Sequence, residues 1–105
     1  WFKSNSDYKA HNVGLKKPNA WGSYDMSGNV WEWVQDWWDN GTGYYKIGPK
    51  YNPKGPVNSF EKTHFSKKIL RGGSWANYSE YVRTANRGKL NPTVRSIEVG
   101  FRCAK

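Results

Sequence analysis

The amino-acid sequence predicts an α+β fold with little regular secondary structure, in which short strands are separated by long loops. Eleven glycines and five prolines are spread along the 105 residues, and this distribution favours many turns over long helices. Seven Trp, seven Tyr and four Phe accompany few aliphatic residues, and their large side chains can organise a small core. Apolar and polar residues alternate only over short runs, as in short strands. A chain of this length accommodates one domain with a modest core.

The net charge limits the classes of partner. Seventeen Lys and Arg residues against eight Asp and Glu give a formal charge of +9. Such an excess raises nucleic acid as a partner. The lysines are scattered, however, and only Lys16-Lys17 and Lys67-Lys68 are adjacent pairs, so nucleic-acid binding is not expected. No apolar run approaches the roughly 20 residues that span a membrane, so no transmembrane segment is predicted.

The first residue and the cysteine concern what lies outside this sequence. The chain begins at Trp1 without Met or a charged-then-apolar leader, so we expect further sequence before it. Cys103 is the single cysteine and cannot form a disulfide within the chain. It either pairs with a cysteine elsewhere or is a small buried residue, which leaves the redox compartment open.

The first predicted strand lies between two loop regions. Residues 1–17 are polar and show no sustained period, which is typical of an irregular loop. Val30 to Asp36 alternates between Val or Glu on one side and Trp on the other, and Gly28-Asn29 before it is a turn signal. Residues 37–68 are rich in Gly, Pro, Asn and Lys, too long for a structureless loop, and we interpret them as an ordered excursion pinned by aromatic residues.

The C-terminal third contains two further predicted strands. Residues 69–71 form a short strand that ends in Gly72-Gly73, a pair that indicates positive φ or close approach of another segment. Apolar residues spaced by three or four in Ser74 to Arg87 favour one or two helical turns. Residues 88–96 are interpreted as a loop, and residues 97–103 alternate as a terminal strand.

Asp25 and Glu32 form the first candidate site. The two carboxylates lie seven residues apart around a Gly-Asn turn with exposed carbonyl groups, and calcium takes oxygen ligands of both kinds. The alternative is structural, with Asp25 capping a turn and Glu32 paired with an arginine. Spacing alone favours the structural alternative.

Other reactive residue types give weaker signals. His11 and His64 have no further ligand at metal-binding spacing, so both are expected to be ordinary loop histidines. Ser74 follows two glycines and is expected to be exposed, but no histidine lies near it in sequence to activate it, so it is interpreted as a turn serine. The arginines of the C-terminal third suit carboxylates, aromatic faces or phosphates, and we expect most of them to be structural.

Three segments together resemble the formylglycine-generating-enzyme, or sulfatase-modifying-factor, family. They are residues 19–33 (NAWGSYDMSGNVWEW), residues 70–75 (LRGGSW) and residues 100–104 (GFRCA). Residues 11–14 (HNVG) and 17–19 (KPN) also match the usual lead-in of that family. The resemblance covers residues 1–105 and implies that they form the C-terminal part of a single domain, whose N-terminal half would precede Trp1.

The resemblance implies a fold and a metal. The fold is a variant of the C-type-lectin-like fold, with mixed α and β structure and long loops. The family segment around Asp25 surrounds a calcium ion, and by position Asp25 and Glu32 would supply carboxylate oxygens while Gly28 and Val30 would supply backbone carbonyls. Calcium would then be structural, because a bound cation offsets missing core area.

The resemblance also implies a missing reaction. Formylglycine-generating enzymes use two cysteines, five residues apart, which bind copper and oxidise a cysteine of a sulfatase. The matching positions are Asn77 and Val82, neither of which can replace a soft thiolate ligand, so neither copper nor this oxidation is expected. The groove itself is expected to persist and to bind a ligand through Trp31, Ser74, Trp75, Asn77, Tyr78, Arg83 and Arg87.

Three functions follow as hypotheses. The first, which we favour, is a non-catalytic binding or accessory module of a bacterial protein, in which late loops recognise a protein or small-molecule ligand. The second is the substrate-cleft domain of a non-haem-iron sulfoxide-synthase-like oxidoreductase, with the iron held by another domain. The third is an envelope-associated structural protein. Some relatives are extracytoplasmic, which slightly favours the periplasm or cell surface.

Overall fold

A computed structural model describes residues 1–39, 44–48, 51–53, 55–56 and 67–103. In chain order the elements are strand β1 (Trp31–Trp37), helix α1 (Tyr44–Ile47), strand β2 (Lys68–Arg71), a 3-10 helix (Ser79–Val82), strand β3 (Gly88–Leu90) and strand β4 (Val99–Gly100). The elements are short and joined by long irregular segments, so the predicted α+β class with short strands and long loops is confirmed.

The four strands form one sheet in the order β3-β2-β1-β4. β1 pairs antiparallel with β2, Trp33 lying opposite Leu70, and the register shifts between Trp33 and Trp37. β2 pairs antiparallel with β3, and β4 lies parallel to β1 with Trp31 opposite Val99. The alternation in residues 30–36 predicts β1 to within one residue, because alternate side chains of a strand meet different environments.

The sequence-based prediction was wrong at two places in the C-terminal third. Residues 88–90, interpreted as loop, form β3. A β-carbon on Gly88 would lie 3.3 Å from Leu70 Cβ and from the Trp31 ring, so the absence of a side chain lets the backbone approach both. The terminal strand is only Val99–Gly100, two residues long instead of seven. Of the long excursion, α1 is described, and Gly48 N–H donates to Tyr44 C=O at its end (2.6 Å). Residues 57–66 of that excursion, including His64, lie outside the described residues.

The core is small and lies on the central strand β2. Among the described residues only Ile69 (3% exposed) and Leu70 (5%) are buried hydrophobic side chains. The tryptophans of β1 (Trp31, Trp33 and Trp37) are half-buried, and Trp31 packs on Gly88. Within the described ranges, no helix is long and apolar enough to cross a membrane.

Candidate functional site

The segment after β2 is shaped by its two glycines. Gly72 (φ 93°) and Gly73 (φ 76°) both have the left-handed backbone conformation that the sequence predicted for the pair. A β-carbon on Gly73 would lie 2.6 Å from Val82 Cγ1 and 3.0 Å from the Tyr81 carbonyl oxygen. The 3-10 helix therefore folds back onto Gly73, and any larger residue there would push the helix away.

Ser74 corrects one prediction. The sequence led us to expect an exposed serine in a groove, but Ser74 is fully buried. Its hydroxyl donates to Glu98 Oε2 (2.5 Å) and lies 3.1 Å from Asn77 Oδ1, which also accepts the Ser74 backbone N–H (2.9 Å). Burial is tolerated because every polar atom of the serine side chain has a partner. Ser74 cannot contact a ligand directly. Its hydrogen bonds stabilise the loop from the interior of the fold.

Asn77, which the resemblance matches to the first family cysteine, has a similar supporting role. Its side-chain oxygen closes the Ser74 turn, and its backbone N–H donates to the Ser74 carbonyl (3.1 Å). The Asn77 carbonyl in turn accepts the N–H of Lys3 (2.8 Å), which ties the N-terminal segment to this loop. Asn77 is half-buried and is hydrogen-bonded to neighbouring segments of the fold.

The outer surface of the loop is made by the residues that follow. Tyr78 is 56% exposed and Tyr81 is 50% exposed, and Arg83, at the end of the 3-10 helix, is exposed as well. The Lys3 ammonium donates to the Tyr78 hydroxyl (2.9 Å) and lies 4.1 Å from the ring centroid; the hydrogen bond raises the pKa of Lys3. Tyr and Arg side chains are typical of adaptable contact surfaces.

The remaining predicted groove residues lie around this loop. Trp75 is half-buried, and its backbone N–H donates to the Asn29 carbonyl (2.8 Å). Arg87 is exposed, its guanidinium carbon 5.5 Å from the Trp38 ring centroid. Trp31 lies on β1, where its ring packs on Gly88, and its backbone N–H donates to the Glu98 carbonyl (2.7 Å). The structure thus gathers Trp75, Asn77 and Tyr78 but places Trp31 and Arg87 on the sheet.

Two of the four predicted calcium ligands, Asp25 and Glu32, contact an arginine. Arg102 donates from Nε and Nη2 to Glu32, with the shortest N–O distance 2.7 Å, and this hydrogen bonding raises the pKa of Arg102. Its Nη1 and Nη2 also donate to the carbonyls of Tyr24 (2.8 Å) and Asp25 (3.1 Å). The structural alternative for Glu32, pairing with an arginine, is therefore present. The Asp25 carboxylate accepts the N–H of Gly14 (2.6 Å), which caps a turn.

The oxygen atoms of this cluster are of the kinds that hard cations bind, and the Arg102 guanidinium occupies them. A carboxylate and two carbonyl oxygens already converge on one positive group, and oxygen of these two kinds is what calcium takes. Gly28 (φ 84°) makes the turn between the two carboxylates, and its N–H donates to the Gly72 carbonyl (2.7 Å). Across the described ranges, no group of three or more His, Cys, Asp or Glu side chains is placed to hold a metal ion. Calcium would therefore depend on backbone carbonyls such as those of Gly28 and Val30.

Asn29 is a central residue that the sequence analysis did not single out. It is 5% exposed and has φ 68°, and its amide group accepts the N–H of His11 (2.8 Å) and donates to the His11 carbonyl (3.0 Å). Its backbone binds Trp1 and Trp75. The His11 ring stacks on Trp1 at 3.8 Å, so its role is packing, as expected of a loop histidine. The available signal was the Gly-Asn pair, because Asn tolerates the left-handed region.

Comparisons with known proteins agree with these motifs. A family model described as a sulfatase-modifying factor enzyme 1-like domain matches residues 1–105. The chain is 40% identical over 90 residues to serine/threonine-protein kinase pkn1 of Chlamydia pneumoniae, covering 84% of this chain and 13% of that protein. It is 36% identical over 90 residues to the formylglycine-generating enzyme of Mus musculus, covering 83% of this chain and 22% of that enzyme.

A solved structure shows the same fold. Treponema denticola variable protein 1 superimposes with a TM-score of 0.77 at 37% identity, covering 96% of this chain and 34% of that one. Among the curated relatives named here, the chain spans 22% of the length of the mouse enzyme and 13% of the kinase.

Proposed function

The chain belongs to the family of sulfatase-modifying factor enzyme 1-like domains, and from this premise we propose that it is a non-catalytic binding module stabilised by calcium. It is related to formylglycine-generating enzymes and to proteins named Pkn1. The observation that carries the proposal is the structural role of Asn77. The residue at the first cysteine position of the enzymes closes the Ser74 turn and anchors Lys3.

The absence of a cysteine pair supports the non-catalytic part. Cys103 is the single cysteine of the sequence and is exposed in the C-terminal segment. Val82, at the second cysteine position, packs its side chain on Gly73. A copper site of the family type needs two thiolates in one place, and an amide and an isopropyl group supply none.

The construction of the loop supports the binding part. Its base is held by the Ser74–Glu98 and Ser74–Asn77 hydrogen bonds and by Gly73 packing, while Tyr78, Tyr81 and Arg83 project outward. A rigid base lowers the conformational entropy that side chains lose on binding a partner. Tyr supplies large contact area at low entropic cost and Arg supplies charged hydrogen bonds.

The binding part is tested by quantitative affinity enrichment with the purified full protein. The native protein is compared with a Tyr81→Ala/Arg83→Ala variant, and the control is Lys9→Ala, an exposed residue of the N-terminal loop. We expect specific partners that the loop variant loses by at least about tenfold and the control retains. Equal recovery by all three proteins would place recognition elsewhere.

The non-catalytic part needs a separate assay. The full protein is incubated with copper, oxygen and a sulfatase peptide containing the target cysteine, and mass spectrometry monitors oxidation of that cysteine. We expect no conversion above a copper-only control. Turnover, or copper or iron bound at near one per chain in the purified protein, would contradict the proposal and favour an oxidoreductase.

Calcium is proposed at Asp25, Gly28, Val30 and Glu32, where it would crosslink the turn to β1. The support is chemical: carboxylate and carbonyl oxygens from this segment already surround the Arg102 guanidinium. Metal content is measured in the native protein and in Asp25→Asn and Glu32→Gln, with Asp7→Asn as control because Asp7 shares the positive φ of Asp25. Loss of calcium in both site variants but not in the control is expected; a native protein without calcium would refute the site.

A further inference from the structure

A cavity lies on the sheet, away from the loop of residues 72–83. It has a volume of about 460 Å³ and is lined by Val34 and Asp36 of β1, Ile69 and Arg71 of β2, and Arg87, which precedes β3. Its size is within the range of small-molecule pockets. Arg87 was assigned to the groove in the sequence analysis. The other lining residues belong to none of the predicted calcium, groove or cysteine positions.

Strand pairing explains why these side chains meet. β1 and β2 are antiparallel, with Glu32 opposite Arg71, so Val34 and Ile69 follow on the same face. Asp36 lines the same cavity, beyond the register shift that separates Trp33 from Trp37. The floor of the cavity is therefore aliphatic, and charged groups stand at its sides.

The charges of the cavity are mixed and held in place. The Arg71 guanidinium, which has five N–H donors, uses one of them for the Thr84 carbonyl. The Arg87 guanidinium lies over the Trp38 ring, and Lys89 Nζ lies 4.3 Å from the same ring centroid. Among the described residues, two arginines and one aspartate line the cavity, a net charge of +1.

Asp36 supplies the opposite charge. Gly55 packs directly against the Asp36 carboxylate and leaves no space there for a β-carbon. Burial lowers the pKa of Lys68, and the negative charge of Asp36 opposes part of that shift. A half-buried carboxylate in a cavity that two arginines also line can accept hydrogen bonds from a ligand ammonium.

We propose that this cavity binds a free acidic α-amino acid, a molecule with one ammonium group, two carboxylates and a short aliphatic chain. The carboxylates would pair with Arg71 and Arg87, the ammonium with Asp36, and the chain would cover Val34 and Ile69. The ligand net charge of −1 balances the +1 of the lining. This site is independent of the loop surface and of calcium.

Other ligand chemistries fit less well. Inorganic phosphate would pair with the arginines but leave Asp36 without a cationic partner, and a simple cation would be repelled by the two arginines. An uncharged apolar molecule would displace the water that hydrogen-bonds to the three charged groups. It would offer no hydrogen bonds in return, which is costly. An acidic amino acid satisfies both signs of charge at once.

The test is isothermal titration calorimetry on the purified full protein with L-glutamate and with glutarate, which has the same two carboxylates but no ammonium. Native protein is expected to bind glutamate at least about tenfold more tightly than glutarate. Asp36→Asn should abolish that preference, whereas Arg71→Gln should weaken both ligands. Asp7→Asn and Arg95→Gln, the same changes outside the cavity, should leave both affinities unchanged.

The comparison of the two ligands on native protein tests the idea even if a variant does not fold. Glutarate binding as tightly as glutamate would overturn the role of Asp36. Undetectable heat for glutamate at about 10 mM, well above the millimolar range, would overturn the site. Retention of full glutamate affinity in a folded Arg71→Gln variant, checked by circular dichroism, would overturn the carboxylate pairing.

Discussion

The side-chain amide of Asn29 forms two hydrogen bonds with the backbone of His11, accepting its N–H at 2.8 Å and donating to its carbonyl at 3.0 Å. The asparagine thereby pairs with His11 as a neighbouring strand would. Because the Asn29 backbone also binds Trp1 and Trp75, one residue joins the N-terminal segment, the turn before β1 and the loop after β2.

Replacing this amide should destabilise the fold. Asn29→Asp keeps an acceptor for the His11 N–H but turns the donor into a second acceptor, which faces the His11 carbonyl. We expect the free energy of unfolding to fall by about 2 kcal/mol, measured by urea denaturation. Asn19→Asp is the control, because Asn19 Oδ1 only accepts N–H groups, from Trp21 and Ser23, and an aspartate can do the same. Equal losses in the two variants would contradict the pairing.

Gly73→Ala should disturb the 3-10 helix. The new methyl group would lie 2.6 Å from Val82 Cγ1, so the helix must move, at a cost of about 1–3 kcal/mol beyond the strain of positive φ. Gly14→Ala measures that strain alone, since φ is 77° there and nothing lies within 4 Å of the new carbon. Adding Val82→Ala to Gly73→Ala should recover part of the difference; no recovery would mean that Val82 is not the obstacle.

Ser74→Ala removes a hydroxyl from a fully buried position. The Glu98 carboxylate loses its donor and the Ala76 N–H loses its acceptor, and we expect a loss of about 1–3 kcal/mol in unfolding free energy. Ser79→Ala, in the exposed 3-10 helix, is the control and should change stability little. A Ser74→Ala variant as stable as the control would show that the buried hydrogen bonds are easily replaced.

Arg102 should compete with calcium. Its guanidinium hydrogen-bonds both oxygens of Glu32, so a cation binding there meets a positive charge. Arg102→Gln removes that charge and should tighten calcium binding by about tenfold, measured by calorimetry, while costing about 1 kcal/mol of calcium-free stability. Arg95→Gln is the matched control. Weaker calcium binding in Arg102→Gln would show that the arginine supports the site.

Lys68 should titrate below the ordinary lysine range. Burial lowers the pKa of Lys68 from 10.5, and Asp36 opposes the change. The unfolded chain then holds this proton more tightly, so the contribution of Lys68 to stability rises as pH increases from its folded pKa toward 10.5. Titration followed by NMR should place Lys68 below Lys3, whose pKa is raised by Tyr78. The reverse order would refute the prediction.

The sequence by itself determined the local features. Alternation located β1 to within a residue, and the paired glycines predicted the positive φ of Gly72 and Gly73, because both signals report the conformational preferences of a few consecutive residues. The motif order also identified the family, which the family model confirms over residues 1–105.

Only the tertiary structure decided which distant groups meet. Ser74 looked exposed from its neighbours in sequence, yet Glu98, 24 residues later, accepts a hydrogen bond from its hydroxyl. Arg102 reaches Glu32 across 70 residues, and β3 forms in a predicted loop because Gly88 fits beneath Trp31. Such contacts depend on where each long loop brings the chain back, which local backbone preference does not encode. The burial of a polar side chain is therefore decided by its partners, and these become visible only in the folded molecule.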